Sequence, residues 1–243
     1  MLKIIKPTSN SGQALLLLHG WGFDHQIWSS FLPQLNTIYQ VYQIDLPGFG
    51  ETPCMPWDIF QSKLCQQLPD EVILCGWSMG GLIATRLALE HPERFSHLIN
   101  MASSPCFVAT NHWPGITLKQ LDFFYQQLQS NPEHMLTDFV RLQQPKVFQD
   151  KLQLPKQMNL EGLKNGLDIL KNWNFNDKLH QLKCPTAYLL GRLDRIVPAS
   201  TITALQTHYP KFQSQLISKA GHMPFLSHPD ICLDFIIEHT KDY

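Results

Sequence analysis

A doubly wound, mostly parallel α/β sheet carrying one inserted helical segment is the fold class that this sequence predicts. Three observations lead there. Short apolar runs bounded by turn residues alternate with longer amphipathic segments, the pattern of strands and helices that build a parallel sheet. Two of the helical segments stop at proline, at His91-Pro92 and Tyr209-Pro210, where the ring removes a donor and clashes with the preceding turn. Between Val108 and Lys183 the alternation gives way to a stretch rich in Gln, Leu and aromatic residues with helical spacing.

Taken in order, the pattern predicts strands at Ala14 to Leu18, Val41 to Ile44, Val72 to Cys75, His97 to Met101, Thr186 to Leu190 and Gln215 to Ile217. Helices are expected at Leu82 to Glu90, Ser200 to His208 and Ile231 to His239. A length of 243 residues suits one such domain. Its expected division is a core of residues 1–107 and 184–243 and a helical insertion of residues 108–183.

Composition narrows the class. With 44% hydrophobic and 16% charged residues, the chain can bury a core and lacks the polar excess of a disordered protein. A net charge of -1 supplies no global field for nucleic acid or an anionic membrane, so neither is an expected partner. The six cysteines form no C-x-x-C pair and several lie in apolar runs, which argues against a disulfide framework or a zinc site. No run is long enough for a signal sequence or a membrane span, and a cytoplasmic protein is expected.

The chemistry is written in Gly76-Trp77-Ser78-Met79-Gly80. Gly-x-Ser-x-Gly between an apolar strand and a helix is the nucleophile elbow of the α/β hydrolases, a strained turn that lifts the serine hydroxyl out of the sheet. A serine hydroxyl is a poor nucleophile at neutral pH and needs a base, with a third group to orient it. In this fold the chain order is Ser, acid, His. Asp194, after the strand ending near Leu190, and His222, in Ala220-Gly221-His222-Met223-Pro224 after the last strand, occupy those places. Asp is common in turns, so its residue type alone leaves a loop-capping role open. The alternative position, one strand earlier, holds Ser103-Ser104-Pro105-Cys106 and no carboxylate.

A tetrahedral intermediate needs backbone donors. Met79, directly after the nucleophile, is the expected first donor, and Trp21 in His19-Gly20-Trp21-Gly22 the second. His19, between a strand and a glycine, reads as a buttress of that loop. The Asp45-Leu46-Pro47-Gly48-Phe49-Gly50 loop reads as structural. No His-Glu-x-x-His cluster or Gly-x-Gly-x-x-Gly spacing appears, so no metal and no dinucleotide cofactor is expected.

Beyond the elbow, Ala102-Ser103-Ser104-Pro105-Cys106-Phe107 followed by Trp113-Pro114-Gly115-Ile116 is unusual for the superfamily. With His19-Gly20-Trp21-Gly22, Gly76-Trp77-Ser78 and Leu226-Ser227-His228-Pro229, it resembles the BioH-type pimeloyl-[acyl-carrier protein] methyl ester esterases of biotin synthesis. The resemblance spans the core and the entrance to the insertion, which in that family is a helical lid. It implies a cofactor-free carboxylesterase that cleaves the methyl ester at the far end of a pimeloyl chain held on acyl carrier protein.

The resemblance also implies substrate contacts from Trp21, Ser78, Met79, His222 and the lid stretch Phe139-Val140-Arg141-Leu142-Gln143. An extended acyl chain asks for an apolar channel; Trp113, Phe123, Phe124, Phe139, Phe148 and Trp173 are the lid aromatics that could line it. Acyl carrier proteins are acidic, and the family meets them with lid arginines. Two such positions here hold His134 and Asp138, while Arg141, Lys146, Lys151 and Lys156 offer a patch interrupted by Pro145 and Pro155. The rival readings are a broad-specificity esterase, a carbon-carbon bond hydrolase with the same triad, and a binding protein that has lost catalysis. A monomer is expected.

Overall fold

The computed structural model describes residues 1–8, 11–132, 134, 135, 137, 139 and 159–241. Among these, seven strands form one sheet: β1 (Ile4–Ile5), β2 (Ala14–Leu18), β3 (Gln40–Ile44), β4 (Val72–Trp77), β5 (Phe95–Met101), β6 (Thr186–Gly191) and β7 (Gln213–Ile217). Their spatial order is β1-β3-β2-β4-β5-β6-β7, parallel except for β1 against β3. The helices are α1 (Leu32–Leu35), α2 (Trp57–Gln67), α3 (Met79–Glu90), α4 (Leu118–Ser130), α5 (Leu160–Asn172), α6 (Ser200–His208), α7 (Pro224–Ser227) and α8 (Pro229–Thr240).

Side-chain alternation sorts the core into two layers. Leu16 and Leu18 of β2 and Leu74 of β4 point to the face covered by α2 and α3, where Phe60, Leu64, Leu82 and Leu87 are buried. Leu15, Leu17, Ile73 and Cys75 point to the other, against Trp28, Phe31, Phe235 and Ile236. Every residue of β2 and β4 is buried, as befits central strands of a sheet covered on both faces.

The connections place the site. From β2 the chain moves outward to β3, then crosses back over β2 to β4 and proceeds to the opposite edge. Loops leaving β2 and β4 therefore diverge, which opens a crevice at the carboxyl ends of those strands. The insertion meets the core through the Ala102-to-Phe107 motif. The Pro105 carbonyl accepts from the Phe175 amide at 2.9 Å, and Cys106 bridges Asn174. The Trp113 indole donates to the Ser104 hydroxyl at 2.9 Å.

Four elements outside the insertion have no counterpart in the sequence pattern: β1, α2 and the single-turn helices α1 and α7. The two-residue β1 is too short to show alternation. Helix α2 buries only Phe60 and Leu64, one turn apart, and its other apolar residues, Trp57, Ile59 and Cys65, add no clear helical stripe.

Candidate active site

Ser78 stands between β4 and α3 with φ 55° and ψ -122°. Only Ser78 and Ala102 have positive φ among the described non-glycine residues, and such strain persists only where surrounding structure enforces it. The enforcement is visible. The Ser78 amide donates to the Met101 carbonyl at 3.0 Å, and its carbonyl accepts from the Ser103 hydroxyl at 2.7 Å. Gly80 supplies the room: a Cβ there would lie 2.2 Å from the Leu18 carbonyl oxygen, so only glycine lets α3 begin against the end of β2.

A hydrogen-bonded chain runs inward from the serine. His222 Nε2 lies 2.8 Å from Ser78 Oγ, and His222 Nδ1 lies 2.7 Å from Asp194 Oδ2. The second carboxylate oxygen of Asp194 accepts the amides of Ile196 at 2.8 Å and Val197 at 3.0 Å. Asp194 thus bonds its own loop with one carboxylate oxygen and the imidazole with the other. The Trp77 indole donates to the His222 carbonyl at 2.7 Å, which fixes the backbone carrying the imidazole. All three side chains belong to buried residues, where fixed dipoles and charge pairs act with little screening.

One backbone amide follows the serine directly, and the turn that carries the other expected donor lies against the elbow. Met79 is the first residue of α3, where an amide has no acceptor within the helix and the helix dipole is positive. Trp21 sits in the turn after β2 closed by the Phe23 amide on the Gly20 carbonyl. A Cβ on Gly20 would come within 3.2 Å of Ser78 Cβ, so this turn lies against the elbow. His19 braces it. Its Nε2 accepts from the Leu46 amide at 3.0 Å, and Nδ1 lies 2.8 Å from the Gly20 carbonyl. Acceptance at Nε2 requires the neutral Nδ1–H tautomer, and burial pushes the His19 pKa down, favouring that neutral form.

Residues 13–229 match the family of the alpha/beta hydrolase fold. The pimeloyl-[acyl-carrier protein] methyl ester esterase of Legionella pneumophila (strain Corby) is 46% identical over 231 residues, covering 95% of this chain and 96% of the relative. The chain belongs to the pimeloyl-[acyl-carrier protein] methyl ester esterase family of α/β hydrolases. A second relative of that description, from Aeromonas hydrophila, is 38% identical over 94% of this chain and 95% of its own length. Among solved structures, an esterase from Exiguobacterium antarcticum superposes on this α/β hydrolase with a TM-score of 0.86. Its 22% identity, over 99% of this chain and 96% of the other, makes it evidence for the fold.

Of residues 108–183, those that are described reach the crevice at a few points. The Trp21 indole donates to the Leu163 carbonyl of α5 at 2.7 Å, and Phe139 meets the Trp21 ring edge-on at 5.0 Å. Val140, Arg141, Leu142 and Gln143, the rest of the predicted contact stretch, lie outside the described residues. Phe148, Asp138, Lys146, Lys151 and Lys156 do too. His134 is exposed. Of the other lid aromatics, Phe124 packs on Phe139, Trp113 is turned to Ser104 and Phe123 is 56% exposed.

Beside Met79, between α2 and α5, is a cavity of about 240 Å³ with largely apolar walls that include Phe49, Trp57, Phe60, Met79, Ile169 and Trp173. Of these, the sequence points to Met79 and Trp173 as site residues, and Phe49 lies in the loop read there as structural. Trp57 and Phe60 carry no motif, and the unrecognised helix α2 hid them. Among the described residues one group has ligand atoms close enough for a metal: Asp24, His25 and Asp45. Its oxygens are already engaged, Asp24 by the Gln26 amide and Asp45 by His25 and the amides of His25 and Glu51.

Proposed function

We propose that this chain is a serine carboxylesterase that hydrolyses the methyl ester of pimeloyl-acyl carrier protein methyl ester, releasing methanol and the free carboxylate, in biotin synthesis. The observation that carries the reading is the hydrogen-bonded order Ser78, His222, Asp194 in a chain 46% identical to a relative of that name.

In this reading Ser78 Oγ attacks the ester carbonyl carbon while His222 Nε2 takes its proton. The Met79 and Trp21 amides stabilise the oxyanion, each worth about 10²–10³ in rate. Collapse of the intermediate expels methoxide, which takes the proton from His222 and leaves as methanol. Water, deprotonated by His222, then attacks the acyl-enzyme and frees the acid, restoring Ser78. The product carboxylate is costly to hold beside apolar walls, which favours release. Residues 108–183 act as the lid over a core of residues 1–107 and 184–243. The cavity beside Met79 offers apolar surface suited to a methylene chain.

The test is turnover of purified pimeloyl-carrier methyl ester followed by intact mass. Conversion to a carrier lighter by one CH₂ is expected, with kcat/KM well above that for p-nitrophenyl acetate. Hydrolysis of the small ester with no turnover of the carrier ester would make the enzyme a broad esterase. Restoration of biotin-free growth to a cell lacking its own methyl ester esterase is the matching cellular outcome.

A further inference from the structure

Charge is unevenly spread along this nearly neutral chain. Across residues 178–229 there are six cations, Lys178, Lys183, Arg192, Arg195, Lys211 and Lys219, and one carboxylate, Asp194. That carboxylate is buried and bonded to His222, so the stretch shows the solvent positive charge only.

The fold gathers half of those cations on one edge. Strands β6 and β7 pair in parallel with Gly191 beside Ile217, so both end on the edge where Ser78 lies. The loop after β6 is stitched to the turn after β7: the Arg192 amide donates to the Ile217 carbonyl at 3.0 Å and the Leu193 amide to the Ala220 carbonyl at 2.9 Å. Arg192, Arg195 and Lys219 are exposed on these two segments. Among the described residues, none of the three takes part in an ion pair. Between the arginines, Leu193 stands 55% exposed. Arginine is enriched at protein interfaces, and here two of them flank an exposed aliphatic side chain on a loop held by backbone hydrogen bonds.

We propose that Arg192, Leu193, Arg195 and Lys219 form the docking surface for the acidic carrier protein that presents the acyl chain. The inference rests on the carrier-ester reading above. It commits to that partner because the patch is cationic on a chain without a cationic excess, and because Asp194 and His222 lie within one to three residues of its members. A protein seated there is beside the loops that frame Ser78, and a flexible acyl-bearing arm can enter the crevice from it. The arginines and lysine act on capture and on the rate of encounter, not on the reacting atoms.

The test compares wild type with the triple variant Arg192→Glu, Arg195→Glu, Lys219→Glu on two substrates, the carrier methyl ester and p-nitrophenyl acetate. For the carrier ester kcat/KM should fall about tenfold or more, through KM, while the small ester stays within about twofold of wild type. The triple Gln variant should give a smaller loss of the same kind. Wild-type KM for the carrier should rise with salt, and that dependence should flatten in the Glu variant. Lys211→Glu, at the opposite end of β7, should change neither substrate. Carrier-ester kcat/KM unchanged in the Glu variant, or equal loss on both substrates, would overturn the docking assignment while leaving the esterase reading intact. Failure of wild type itself to hydrolyse the carrier ester would overturn both.

Discussion

The carboxyl edge of the sheet and the described part of residues 108–183 are held by different means. At the edge, Ser78 is tied through its own amide and carbonyl to Met101 and Ser103, and Asp194 through two amides to its loop. The described part of residues 108–183 joins the core through the Phe175 amide on the Pro105 carbonyl, the Trp21 indole on Leu163, Gly162 against the Gly48 carbonyl and Trp173 against Trp57, with Leu163 and Leu167 buried in the main core cluster. It also leaves Leu118, Phe123 and Leu160 more than half exposed. Reactive geometry is therefore built into strand ends that cannot shift without breaking the sheet.

If the comparison holds, substitutions at the edge should damage rate and substitutions under the lid should damage stability or access. The largest effect is expected from Asp194→Asn, which keeps the shape but favours the wrong imidazole tautomer. It should lower kcat by about 10⁴ with thermal stability nearly unchanged, read from ester turnover and calorimetry. Next is Gly166→Val. A Cβ at that position would lie 2.4 Å from Trp21 Cδ1, so the larger side chain must displace either α5 or the Trp21 ring. A loss of about 1–3 kcal/mol in urea unfolding is expected. A fall in kcat short of the ~10²-fold of a lost oxyanion donor should accompany it. Unchanged kcat would mean that the lid does not position the Trp21 turn.

Smaller still is Arg86→Ala. The Arg86 guanidinium lies over the Trp57 ring at 4.1 Å and the Trp173 ring at 4.5 Å, and Glu90 binds both Arg86 and the Trp57 indole. Loss of about 1 kcal/mol is expected from removing the stacked cation, with small-ester kcat close to wild type.

The smallest effect concerns pH and sits at the end of β3, outside the hydrogen-bonded order Ser78, His222, Asp194. The hydrogen bond that the His25 imidazole donates to Asp45 raises the His25 pKa above its ordinary 6.5. That stabilisation is complete below pH 6.5 and is lost as pH rises through the raised value. For Asp45, burial alone would raise the pKa, but the bonds from His25 and from the Glu51 and His25 amides outweigh it and the net shift is downward. Its contribution is present above 3.8 and lost as pH falls through the lowered value. The urea midpoint of wild type should therefore fall slightly above pH 6.5, and His25→Ala should remove that part of the slope.

Most of the sheet was legible because buried parallel strands are short apolar runs with little else to explain them. All six strands read from the sequence are present, with ends moved by no more than two residues. Helix α3 begins at Met79 rather than Leu82 because Gly80 and Gly81, poor helix formers, sit in its first turn. They are there for close packing, a tertiary demand that overrides local propensity.

The candidate triad was legible as residue types in chain order on loops, and the structure brings those side chains into hydrogen-bond contact. Trp57 and Phe60 were not, because a cavity wall assembled from two distant helices leaves no spacing to read. The exposed trio around Leu193 was overlooked for a related reason: its cations become neighbours only when β6 and β7 pair.

The claim on which the rest depends is that Ser78 is the nucleophile activated by His222. Fluorophosphonate labelling with peptide mapping tests it directly. The account predicts one adduct, on Ser78, formed at least about 10³-fold more slowly in His222→Ala. An adduct on another residue, or labelling of Ser78 at the same rate without the imidazole, would contradict it.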